Sequence, residues 1–141
     1  MLAVTLDTSV YVGALNSRGF SARIFAVARA GVVRIDISDA ILTETIRVLR
    51  EKLGWDGYRL HDAMYKLASL TNRVAPKQQL DVIQEDPSDN RVLECAAEAG
   101  SDYIVTWDND LLRLGEYAGI RIIRAVDLLQ LAAAGNRTSA E

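Results

Sequence analysis

Leu2-Ala3-Val4-Thr5-Leu6-Asp7 decides how the rest of the chain is read. A short apolar and β-branched run without polar alternation describes a strand covered on both faces, the pattern of a parallel sheet between helices. The run stops at a carboxylate. Three further stretches share its character: Val32–Ile37, Tyr103-Ile104-Val105-Thr106 and Ile120–Ile123. Longer segments at helical spacing separate them. Ser21 is expected to cap a helix with the stripe Ile24, Val27 and Ala28, stopped by Gly31. Ser38 or Asp39 caps a second, whose stripe Leu42, Ile46, Leu49 and Leu53 is ended by Gly54. Asp56 opens a third with Leu60, Ala63, Met64 and Leu67 inward. Asp86-Pro87-Ser88-Asp89 reads as a fourth start, with Asp86 as N-cap and Pro87 in the first helical position, closed by Gly100. A last helix covers about 125–134, and residues 135–141 read as a frayed tail. Strand and helix in alternation predict an α/β fold, a three-layer α/β/α sandwich around a central parallel sheet, in one domain over 1–134.

Composition agrees with a folded domain. Of 141 residues, 50% are hydrophobic, which excludes disorder. Surface scaling predicts roughly 7,200 Å² exposed after folding, about a third of the unfolded surface. The formal charge is −3, from 16 basic and 19 acidic residues, which excludes a uniformly basic nucleic-acid coat. The sum hides an asymmetry. Residues 1–77 carry 11 basic and 7 acidic side chains, residues 78–141 carry 5 and 12. Concentrated acids need solvent, cations or metal. Cys95 and His61 are the lone residues of their types, which excludes disulfide frameworks, zinc fingers and Cys-His nucleophilic pairs. Cys95 is expected as a small core residue and His61 on a solvated helix face. No segment reaches membrane-spanning length, and the start MLAVTLDTSV has no basic leader pattern. A cytoplasmic protein is expected.

In open parallel sheets, sites form beyond the carboxyl ends of the strands. Asp7 ends the first strand, Asp108 and Asp110 follow the third, Asp86 and Asp89 open a helix, and Glu44 lies early in the helix after the second strand. Two carboxylates 4 Å apart repel by about 4 kcal/mol at an effective dielectric of 20, a cost that a divalent cation removes. Oxygen-only donors without His or Cys suit Mg²⁺ or Mn²⁺. Two such ions about 4 Å apart activate water and clamp both oxygens of a phosphodiester displacement. Each acid also has a bland reading. Asp86 fits an N-cap, Asp89 fits the helix dipole, and Glu44–Arg47–Glu51 fits a solvated run of ion pairs. Asp7 has the fewest structural excuses. Asp102 precedes a strand, at the wrong edge.

The motifs Leu6-Asp7-Thr8-Ser9-Val10, Thr43-Glu44, Asp86-Pro87-Ser88-Asp89-Asn90 with Glu94-Cys95-Ala96, and Ile104-Val105-Thr106-Trp107-Asp108-Asn109-Asp110-Leu111-Leu112 together resemble the PIN-domain family. The likeness runs from Val4 to about Leu129 and is greatest to the VapC-like toxins of bacterial type II toxin–antitoxin systems. It implies metal-dependent endoribonuclease activity on RNA, with Mg²⁺ or Mn²⁺ held by Asp7, Glu44, Asp89 and Asp108. Thr8 and Thr106 match supporting hydroxyls, and Asp110 an auxiliary acid. Where the family has Thr-Gly-Asp, this chain has Thr106-Trp107-Asp108, so Trp107 either stacks on a base or packs. The resemblance also implies an antitoxin partner and a homodimer, with contacts on the hairpin Ile41–Leu53 and Tyr58–Leu70. Arg47, Arg50, Lys52 and Arg59 there either steer RNA phosphates or form a solvated face.

Other Asp-after-strand chemistries lack their partners. A dehalogenase-type phosphatase needs an acid where Ser9 stands, and a phosphoacceptor receiver needs paired acids before its Asp and a late Lys. A dinucleotide fold needs GxGxxG after the first strand. The remaining alternative is a PIN-like module that binds RNA or protein with little catalysis.

Overall fold

A computed structural model of the chain describes residues 1–16 and 19–140, with side chains to residue 135. Six strands form one sheet: β1 (Leu2–Leu6), β2 (Val33–Ile37), β3 (Thr71–Arg73), β4 (Tyr103–Val105), β5 (Glu116–Tyr117) and β6 (Ile120–Ile123). Their order is β3-β2-β1-β4-β6-β5. All neighbours are parallel except β5, which pairs antiparallel with β6. The helices are α1 (Thr8–Leu15), α2 (Gly19–Arg29), α3 (Asp39–Glu51), α4 (Gly57–Leu70), α5 (Asp89–Ala99), α6 (Asn109–Leu114) and α7 (Ala125–Ala140). Helix α5 packs across β1, β2 and β4, whereas α2 packs on β2 and against α7. The expected sandwich is present, with a mixed edge.

Strand order turns around between β1 and β4. The chain runs outward through β2 and β3 on one side, then through β4 and β6 on the other, and a crevice opens at the carboxyl ends where the directions part. The core follows the apolar strand runs: Val4, Leu6, Ile35, Ile37, Ile104 and Val105 are fully or almost fully buried. One strand position breaks the pattern. Asp36 is fully buried in β2, where its carboxylate accepts from Arg34 Nε at 2.8 Å, Asn72 Nδ2 at 3.0 Å and Ser101 Oγ at 2.8 Å. Thr5 Oγ1 lies 2.8 Å from Ser101 Oγ, so β1, β2, β3 and the end of α5 share one satisfied polar network. A buried charge is tolerable only when paired in this way. Cys95 is fully buried beside it, with Thr5 Oγ1 donating to Sγ at 3.8 Å, and His61 is exposed.

Several local expectations need correction. Thr8–Leu15 is helical although it carries no apolar stripe, because Asp7 caps it, accepting from Val10 N. Ser21 lies inside α2 and is buried, because the helix already begins at Gly19. Ser38 and Asp56 do cap their helices, accepting from Ile41 N and Arg59 N. Helix α5 starts at Asp89, and Asp86 instead accepts from Ser88 N at 3.1 Å and Ser88 Oγ at 2.6 Å in the turn before it. Gly100 closes α5 at φ 67°, a left-handed position that favours glycine. Leu53 and Met64 are 46% and 44% exposed, not inward. Helix α7 runs to Ala140, past the end expected near residue 134; of the tail expected at 135–141, the side chains after residue 135 lie outside the described ones.

Candidate metal centre

The register of the two central strands builds the site. Leu6 pairs with Val105, so the next residues, Asp7 and Thr106, leave the sheet side by side. Asp7 N donates to Val105 O at 3.1 Å and Thr106 N to Ile123 O at 3.0 Å, carrying the ladder one step past the strand ends. Asp7 is 4% exposed. Its Oδ2 accepts from Thr106 Oγ1 at 2.5 Å and its Oδ1 from Ser9 Oγ at 2.6 Å and Val10 N at 3.3 Å. Thr106 Oγ1 accepts in turn from Asp108 N at 2.8 Å, and Asp108 Oδ1 from Asp110 N at 2.9 Å. Asp108 thereby caps α6. Asp89 enters from the first position of α5.

Asp7, Asp89 and Asp108 each offer an oxygen within 4.8 Å of the other two. Among the described residues, no ion pair involves any of the three. Burial pushes the Asp7 carboxyl up to about 6, although its hydrogen bonds to Ser9, Thr106 and Val10 pull the other way. Burial, followed by the proximity of Asp108, Asp86 and Asp7, raises the Asp89 carboxyl far above the usual carboxylate range. Asp89 Oδ2 is buried with no hydrogen-bond partner, an arrangement that costs free energy unless something binds there. A hard divalent cation fits this set: three carboxylates, oxygen donors alone, one of them orphaned.

The triad lines a cavity of about 740 Å³ whose wall also includes Thr8, Ser9, Thr43, Glu44, Asp86 and Arg91. Glu44 is therefore on the cavity but outside the triad. Its carboxylate is gripped by Arg47, with Nη2–Oε1 at 2.7 Å and Nε–Oε2 at 3.0 Å, and Arg47 Nη1 reaches Glu51 at 2.9 Å. Thr8 Oγ1 sits 3.3 Å from Thr45 Oγ1, and Asp110 pairs with Arg113 at 3.0 Å. Arg50 lies 3.8 Å from Glu51, Lys52 is the exposed C-cap of α3, and Arg59 stacks 3.8 Å over the Trp55 ring. Trp107, next in sequence to Asp108, is 40% exposed and does not line the cavity.

Three supporting residues escape a reading of the sequence alone. Ser9 orients Asp7, and only the Asp-x-Ser spacing hints at it. Asn90 is buried; its Oδ1 accepts from Val82 N at 2.8 Å and Ile83 N at 2.9 Å, and its Nδ2 donates to Ile83 O at 2.8 Å and Pro87 O at 3.2 Å. It thus holds the segment before α5 against the helix. Arg91 brings a cation to the cavity wall, tethered to Leu80 O at 2.8 Å and Glu94 at 2.9 Å.

Comparison with known proteins bears on the family and the fold. A PIN-domain family model matches residues 3–110. A structure of DNA-bound VapBC from Salmonella typhimurium aligns at TM-score 0.62 and 21% identity, covering 89% of this chain and 99% of that one. The sarcin-ricin-loop-cleaving toxin VapC20 of Mycobacterium tuberculosis aligns at 0.61 and 16%, covering 84% and 98%. A protein of Pyrobaculum aerophilum aligns at 0.61 and 18%, covering 94% and 90%. No curated protein matches the chain significantly.

Proposed function

The chain belongs to the PIN-domain family, and from that premise we propose that it is a Mg²⁺- or Mn²⁺-dependent endoribonuclease. The observation that carries the reading is the convergence of Asp7, Asp89 and Asp108, unpaired with any cation among the described residues, around an orphaned Asp89 oxygen. Asp7 and Asp89 hold the principal ion, and Asp108 completes its ligand set. A bound ion of this kind supplies Lewis acidity, lowering the pKa of water and offsetting charge on a phosphodiester.

The chain's own residues supply orientation. Ser9 and Thr106 each donate to one Asp7 oxygen, fixing the plane of the carboxylate. Thr106 also receives Asp108 N, so a single hydroxyl sets the spacing of two acids. Glu44 would reach the site only by leaving Arg47, which keeps its pair with Glu51, and Arg47, Arg50 and Lys52 then offer positive charge to RNA phosphate. Thr8 shapes the margin, while Asp110 donates its backbone N–H to Asp108 and pairs with Arg113.

The likeness to VapBC and VapC20 supports a toxin held by an antitoxin, acting in the cytoplasm. Among the described residues, no helix is long and apolar enough to cross a membrane. Tyr58 and Tyr65, 86% and 74% exposed on α4, support a homodimer through the α3–α4 hairpin.

The test is cleavage of RNA by wild type and Asp7→Asn, each with Mg²⁺ or EDTA. Cleavage by wild type with Mg²⁺ alone is expected, with a loss of at least about 100-fold in Asp7→Asn, by analogy with removing one electrostatic catalytic group. Equal activity in all arms overturns the metal mechanism. No cleavage in any arm favours a module that binds RNA or protein instead.

A further inference from the structure

Trp107 stands where an indole has little structural reason to be. It lies between Thr106, which donates to Asp7, and Asp108 of the triad, and it is 40% exposed. The chain nevertheless holds it at two points. Its backbone N donates to Ser9 Oγ at 3.1 Å, the same hydroxyl that donates to Asp7, and its Nε1 donates to Ser21 Oγ at 3.0 Å. Ser21 can take that place because α1 carries glycine opposite it: a Cβ at Gly13 would meet Ser21 Oγ at 2.9 Å. A large aromatic surface is thus anchored next in sequence to Asp108, outside the acid-lined cavity, and left partly open to solvent. On α2, next to the anchoring serine, Phe20 is 43% exposed, and the Arg23 guanidinium lies 5.7 Å over its ring.

We propose that Trp107, with Phe20 and Arg23, forms a stacking platform for single-stranded RNA flanking the scissile phosphate. Every base has a π-face, so aromatic rings beside a cation bind a strand without reading its sequence, and Arg23 adds attraction for the backbone. Anchoring matters because an indole already fixed loses little rotamer freedom when a base stacks on it. The shared Ser9 hydroxyl ties the Trp107 backbone to Asp7, so a strand stacked on the indole runs within one residue of Asp108. The ligand class rests on the ribonuclease reading above; the platform's geometry does not.

Tryptophan fluorescence tests both separately. The sequence has two tryptophans, and Trp55 is buried beneath Arg59. A short single-stranded RNA titrated into Asp7→Asn protein with Mg²⁺ is expected to quench Trp107, with the signal absent in Trp107→Phe. Binding should weaken about 5-fold or more in Trp107→Ala and less in Trp107→Phe, which keeps an aromatic face. Ser21→Ala, which frees the indole without removing it, should fall between them. In the cleavage assay, Trp107→Ala should raise KM and leave kcat within about 3-fold, whereas a defect in the acid cluster lowers kcat. Quenching without cleavage by wild type keeps the platform and overturns the nuclease reading. Cleavage without quenching, and with KM unmoved in Trp107→Ala and Phe20→Ala, overturns the platform and leaves the aromatic pair as a protein-docking face.

Discussion

Asp7 must be ionised to bind a cation, yet the metal-free fold favours its proton. The carboxyl sits at about 6 in the fold against 3.8 in an unfolded chain, a difference worth about 3 kcal/mol. Because the folded state holds the proton more tightly, this contribution to stability is complete below about pH 4 and is lost as pH rises through 6. Asp89 acts in the same sense. Metal-free protein should therefore melt at a lower temperature at pH 7.5 than at pH 5.5, whereas Asp7→Asn should show a clearly weaker dependence. Mg²⁺ or Mn²⁺ should raise the melting temperature more at pH 7.5, where fewer protons compete with the ion for Asp7 and Asp89. Thermal melts at the two pH values, with and without metal, check this. A wild-type protein that melts higher at pH 7.5 without metal would contradict it.

Asn90 does for the segment before α5 what a strand pairing does elsewhere. It satisfies Val82 N, Ile83 N and the Ile83 and Pro87 carbonyls from one side chain. Asn90→Ala strands buried backbone groups and should cost about 2–3 kcal/mol in urea denaturation, with slope unchanged. Legibility differs from element to element for physical reasons. The four apolar runs of β1, β2, β4 and β6 were readable because central parallel strands bury both faces, and Ser38, Asp56 and Gly100 announced helix ends through their chemistry. Strands β3 and β5 have three and two residues, too short for any period, and draw their pairing from the sheet edge. Helix α1, with Gly13 and a run of β-branched residues, owes its existence to the Asp7 cap and its packing on α2 and α3. Asp7 and Asp108 were legible as sheet-edge acids. Ser9 and Asn90 were not, since their roles exist only once distant segments meet. Glu44 showed both its faces in advance: the spacing foretold the Arg47 and Glu51 pairs, and the structure places it on the cavity as well.

At the scale of the molecule, the exposed area of 7675 Å² lies near the roughly 7,200 Å² that chain length predicts. The two halves meet at the crevice: Asp89 and Asp108 come from the acidic one, Asp7 and Glu44, the latter paired with Arg47, from the basic one. Cys95 lies on α5, fully buried against the sheet, and burial pushes its thiol up to about 12. A thiol in that state does not react with a disulfide reagent at pH 8, so modification must wait for the fold to open. Its rate should rise with urea in parallel with global unfolding; a urea-independent rate would mean that α5 lifts away by itself. The lone cysteine then serves as a clock for the native state. Any metal ion, RNA or protein partner that binds only the folded chain slows that clock by the factor by which it shifts the folding equilibrium. Affinities at the acid cluster can thus be timed from a buried position farther along the same helix, without a label at the site and without turnover.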